Sequence, residues 1–124
     1  MKSCYCCSGK AFETCCDPFV KGTNIPVFPE QLMRSRYTAY VLHLADYLIE
    51  TTEVSQRKYY SKNEILAWAK ANTWIKLEII KAYGANVEFK AYYLDNRLQA
   101  QIHHEKSTFK QVNGKWYYVD GEFY

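Results

Sequence analysis

"VEFKAYYLDNRLQAQIHHEKSTFKQVNGKWYYV", residues 87–119, reads as three strands joined by two turns. Val87, Phe89, Ala91 and Tyr93 alternate with Glu88, Lys90 and Tyr92, the period-two pattern of a strand with one buried face. Asp95-Asn96 marks a turn, and a longer strand runs from about Gln99 to Gln111. Asn113-Gly114 is a strong hairpin signal, after which Trp116 to Val119 return as the last strand. Toward the N-terminus, Ile75, Leu77 and Ile79 alternate with Trp74, Lys76 and Glu78, and Gly84-Ala85-Asn86 supplies the connecting turn. The stretch therefore predicts a meander of antiparallel strands.

Upstream the period changes. Pro29 and Glu30 open a helix, and Met33, Tyr37, Tyr40, Val41, Leu44 and Leu48 form one apolar stripe through about Thr51. Ser61 and Glu64 have capping-box spacing, which starts a second helix over about Lys62 to Ala71, with Ile65, Leu66 and Trp68 available for burial. Residues from about Asp17 to Phe28 contain Pro18, Gly22, Asn24 and Pro26 and read as a connecting loop. Helices followed by a run of antiparallel strands give an α+β domain, with an amphipathic helix laid across a curved sheet.

The chain of 124 residues is the size of one small domain, and its 48% hydrophobic content is enough for a packed core without disulfides. A net charge of +3 is far from the basic stripe of a dedicated DNA binder. No apolar run reaches the roughly 18 residues that cross a bilayer, and the first residues lack the apolar centre of a signal peptide. A cytoplasmic location without membrane contact is the expectation, and there thiols stay reduced.

All five cysteines fall in "CYCCSGKAFETCC", residues 4–16. Taking Cys4, Cys6, Cys15 and Cys16 as a set gives C-x-C-x8-C-C, two close pairs on a chain that doubles back at Ser8-Gly9-Lys10. Two such pairs suit a tetrahedral zinc, whereas an odd cysteine count with two adjacent residues suits a disulfide framework poorly. Lys2, Lys10 and Lys21 could offset the negative charge of four thiolates. The spacing alone admits Cys7 in place of Cys6.

This stretch resembles the SEC-C motif, C-P-C-G-S-G-K followed by C-C or C-H. Cys4, Cys6, Ser8, Gly9, Lys10, Cys15 and Cys16 fall on that pattern, while Tyr5 replaces the proline and Cys7 the first glycine. The resemblance implies a closed, structural zinc site on Cys4, Cys6, Cys15 and Cys16. Further along, "EQLMRSRYTAYVL" (30–42), "VEFKAYY" (87–93), "HEKSTF" (104–109) and "GKWYYVDG" (114–121) look like the matching segments of the YchJ-like family of bacterial proteins. That family joins an N-terminal SEC-C motif, here residues 1–22, to a cone-shaped nuclear-transport-factor-two-like domain, here residues 23–124. Its biochemical role is not established.

The resemblance also implies a pocket between helix and concave sheet face, where many relatives of this shape carry out catalysis. Candidates for a polar cluster there are Arg34, Arg36, Tyr40, Glu88, Tyr92, Glu105 and Tyr118. By strand parity His104 and Glu105 point apart, and Glu105 shares its face with His103, Ser107 and Phe109. Glu88 or Glu105 is expected to hold Arg34 or Arg36 in a buried ion pair, the alternative being a carboxylate poised for acid–base work. No G-x-S-x-G, phosphate loop, dinucleotide fingerprint or H-E-x-x-H is present, so the sequence nominates no catalytic residue and leaves open whether the protein is an enzyme.

Two functions compete, the first, an interaction module, being the favoured reading and the second its alternative. In the first, the knuckle docks a protein, as the similar zinc motif of the translocase motor SecA does, or touches RNA phosphates through Lys2, Lys10, Lys21, Tyr5 and Phe12. In the second, the cone binds or transforms a small molecule. A polar-ended cavity favours the second, and an interior packed solid with aromatic rings favours the first.

Overall fold

The computed structural model describes residues 2–124. Its strands, β1 (Thr73–Tyr83), β2 (Asn86–Leu94), β3 (Ala100–Val112) and β4 (Lys115–Phe123), form one antiparallel sheet in sequence order. Asn113 (φ 51°) and Gly114 (φ 81°) both take the left-handed conformation that a two-residue hairpin needs. Phe89 lies opposite Glu105, Val87 opposite Ser107, and Phe109 opposite Tyr118. All six are buried, which makes theirs the concave, core-facing side.

Helix α2 (Pro29–Val41) crosses that face, and its Leu32, Met33 and Tyr37 join Leu77, Val87, Phe89 and Phe109 in one buried cluster. Each such side chain contributes about 1.5–3 kcal/mol through burial. The helix expected to run to about Thr51 ends ten residues earlier. Leu44 N–H donates to Ala39 O (2.8 Å) and His43 N–H to Tyr40 O (3.3 Å), with His43 at φ 62°. This is a Schellman stop with histidine where glycine is usual. The stripe resumes as α3 (Ala45–Glu50), where Leu48 is buried. Helix α4 (Lys62–Ala71) begins as expected, with Ser61 Oγ accepting from Glu64 N–H. The presumed loop after the cysteines instead contains a short helix, α1 (Asp17–Lys21), held by a Lys21–Asp17 ion pair and closed by Gly22 at φ 82°.

Three register shifts, two in β1 and one in β4, set which side chains face inward. In β1 the register shifts between Trp74 and Lys76, so Ile75 is extra and 54% exposed. Trp74 thereby joins the face of Leu77, rather than opposing it as strict alternation implied. In β4 the shift leaves Val119 extra and brings Tyr118 and Gly121 to the same face. A Cβ at Gly121 would strike the Glu105 side chain, at 2.6 Å from Cδ and 2.7 Å from Cγ. Gly121→Ala should therefore cost about 2 kcal/mol of stability as overpacking. Chemical denaturation checks this, and combination with Glu105→Ala should remove most of that cost, since the clashing atoms are gone.

Candidate functional site

At the N-terminus Ser3 bridges Ala11, Cys4 N–H donates to Lys10 O (2.8 Å), and Gly9 (φ 85°) turns the chain between them. This small hairpin carries Cys4 and Cys6, while the residues leading into α1 carry Cys15 and Cys16. The four sulfurs lie within 4.8 Å of one another, with Cys6–Cys15 at 3.6 Å and Cys15–Cys16 at 4.0 Å. Tetrahedral coordination at about 2.3 Å spaces sulfurs about 3.8 Å apart, so the donor set fits one metal ion. Four thiols this close cannot all ionise alone. Hydrogen bonding with Cys16 lowers the pKa of Cys6, the same contact and burial hold Cys16 protonated, and burial pushes Cys15 up. A bound cation removes that conflict by favouring all four thiolates.

Cys7 stands apart from the cluster. It is exposed, sits at φ 63°, and turns its sulfur toward Tyr5 O at 3.6 Å. Cys6 is fully buried, so burial and position separate two residues that spacing leaves interchangeable. Cys7→Ser should retain about one metal per chain and Cys6→Ser should lose it. Elemental analysis of both variants under reducing conditions checks this.

The second site is a cavity of about 210 Å³ between α2, α4 and the concave face. Trp68, Trp74 and Tyr40 wall one side, with ring centroids 5.1–5.6 Å apart. Arg36, His103, Glu105, Ser107 and Tyr118 supply its polar lining. Glu105 accepts from Ser107 Oγ (2.7 Å) and Tyr118 OH (2.8 Å) and lies 2.7 Å from His103 Nε2. Burial would raise its carboxyl, but hydrogen bonds from His103, Ser107 and Tyr118 outweigh that and hold the pKa below the usual value.

Residues 28–121 match the family description "YchJ, middle NTF2-like domain". The chain belongs to the YchJ family. It is 40% identical over 123 residues to a UPF0225 protein of Actinobacillus succinogenes, covering 94% of this chain and 79% of that one. A UPF0225 protein of Serratia proteamaculans is 38% identical over 125 residues, covering 95% and 81%. A solved SEC-C motif containing protein from Rhodopseudomonas palustris superposes with TM-score 0.89 at 36% identity, covering 96% of both chains. Another from Psychrobacter arcticus gives TM-score 0.81 at 30% identity, covering 97% of this chain and 81% of that one.

Family membership fits the cone and the cysteine cluster, but the polar candidates divide. Arg36, Tyr40, Glu105 and Tyr118 line the cavity. Arg34 lies on another face of α2: its Nη1 donates to Cys6 O (2.8 Å) and approaches Cys6 Sγ (3.9 Å), and its Nε pairs with Glu30. Arg34 thus takes the neutralising part assigned to lysines, while Lys21 is engaged by Asp17. Glu88 and Tyr92 are on the convex side, where Glu88 meets His104 (2.8 Å) and Tyr92 OH donates to Glu78 (3.0 Å). Their placement follows from alternation, because Val87, Phe89 and Ala91 take the inner face. Nor does the expected ion pair form: Arg36 and Glu105 meet through Tyr118, whose hydroxyl binds Glu105 and whose ring lies 4.5 Å from the guanidinium. His103 and Ser107 were not among the polar candidates, although the H-x-E-x-S pattern of a strand puts both beside Glu105.

Proposed function

We propose that the protein binds a small molecule in the cone cavity, and that its cysteine knuckle carries a structural zinc. The observation that carries this reading is the cavity itself: aromatic on one side, polar on the other, and not filled by its own side chains. Zinc is the metal best suited to four thiolates, and four protein ligands leave no coordination position for a substrate. The setting is cytoplasmic, where the thiols stay reduced.

A fragment screen by thermal shift tests the cavity on wild type and on Ala91→Leu, which places a larger side chain on the cavity floor. Fragments that raise the melting temperature of wild type but not of the filled variant support the reading. Equal shifts in both, or none in either, refute it. A protein-docking role for the knuckle is the second reading, favoured by exposed Ile25, Val27 and Phe28 in the segment joining it to α2. Contact with RNA has weaker support, since Lys2 is engaged with Tyr5 and Lys21 with Asp17.

A further inference from the structure

Arg36 is a buried cation with spare donors. It is only 5% exposed, yet it belongs to no ion pair among the described residues. Its Nη1 donates to Leu48 O (2.9 Å), Thr51 Oγ1 (2.7 Å) and, more weakly, Thr52 Oγ1 (3.4 Å), all neutral acceptors. A guanidinium has five N–H donors. The three on Nε and Nη2 have no acceptor among the described residues, and Arg36 lines the cavity. The guanidinium carbon lies over the Tyr118 ring, 4.5 Å from its centroid.

Glu105 is the opposite case. Of roughly four acceptor positions on a carboxylate, three are occupied by His103, Ser107 and Tyr118. The unspent hydrogen-bonding capacity of the cavity is therefore mostly donor capacity. The hydroxyl of Tyr40 adds to it, since this residue lines the cavity beside Arg36 and Glu105 and its hydroxyl is not hydrogen-bonded among the described residues. Burial raises the pKa of this phenol, which keeps it as an O–H donor. Beside Tyr40, Trp68 and Trp74 offer flat apolar surface to the same cavity.

We infer that the cavity takes a small organic carboxylate with a flat apolar body, its carboxylate held by the free edge of Arg36 and its body against Trp68 and Trp74. This inference rests on the cavity being a ligand site, as proposed above. A carboxylate matches the guanidinium fork in two parallel hydrogen bonds, and it supplies the countercharge that the fold does not. A ligand of about a dozen heavy atoms suits the 210 Å³ available.

The test compares three probes of one shape, 2-naphthoate, 2-naphthamide and 2-naphthylmethylamine, by titration of tryptophan fluorescence. Wild type should bind the carboxylate about tenfold or more tighter than either analogue. Arg36→Gln should reduce that preference to about twofold or less, and Arg36→Lys, which keeps the charge without the fork, should retain only part of it. The wild-type preference stands as a test even if a variant fails to fold. Equal or tighter binding of the amide or amine overturns the carboxylate assignment while leaving the cavity as a ligand site. No response to any probe at millimolar concentration overturns both.

Discussion

Glu105→Ala should lower the stability of this fold by about 3 kcal/mol, seen as a fall of about 10 °C in melting temperature. Glu105 is 5% exposed, and its two oxygens hold three neighbours. Its loss leaves the buried Ser107 hydroxyl without its acceptor and frees the Tyr118 ring on which Arg36 rests. His103 loses less, since its side chain is 31% exposed and can turn to water. Glu105→Gln separates charge from shape. The folded carboxyl is held below its unfolded value, so its contribution is full above an unfolded pKa of about 4.3 and disappears as pH falls through the folded value. Wild type and Glu105→Gln should thus differ at neutral pH and converge on acidification. A difference that grew toward acid would contradict the sign of this shift. The buried ion pair expected from sequence would make Arg36→Ala costly by leaving a carboxylate unpaired. Arg36 and Glu105 are not ion-paired, so the cost of an abandoned carboxylate partner is absent there.

Removing the metal should have the other large effect. A structural ion present at a thousandfold excess over its Kd contributes about 4 kcal/mol, and chelation should withdraw it. The loss should be local at first. Cys4, Cys6 and Cys16 are buried against Leu32, Met33 and Tyr37 of α2, so an unfolded knuckle uncovers that part of the helix. The sheet face built from Leu77, Val87, Phe89 and Phe109 needs no ligand sulfur. Hydrogen exchange after chelation should therefore show amides of residues 2–22 unprotected while β2 and β3 remain protected, with a lower but still cooperative melting transition. Loss of protection in β3 at the same chelator concentration would mean that knuckle and cone unfold as one unit.

The strands, the hairpin turn and the start of α4 were legible because each rests on local chemistry: alternation at Val87–Tyr93, positive φ at Asn113-Gly114, a capping hydroxyl at Ser61. What escaped depends on contacts remote in sequence or on residues used against preference. His43 ends α2 in a conformation that usually announces itself with glycine. The bulges at Ile75 and Val119 reverse parity, and they decide that Trp74 faces the cavity and that Gly121 lies against Glu105. Arg34 and Arg36 lie two residues apart on one helix, and only the packing of the knuckle shows that one serves Cys6 while the other enters the cone. Glu88 was legible and misread, since its own strand already placed Val87 and Phe89 inside.

In the proposed division of labour, the knuckle steadies the fold and the cavity receives the ligand. This division is tested most directly by mapping amide and indole chemical shifts of the zinc-loaded protein during titration with 2-naphthoate. The Trp68 and Trp74 indoles and the strand amides around Glu105 should show saturable shifts. Trp116, which donates to Val27 O outside the cavity, and the amides of Cys4–Cys16 should stay in place. Shifts confined to the knuckle, with both cavity indoles unmoved, would contradict this division.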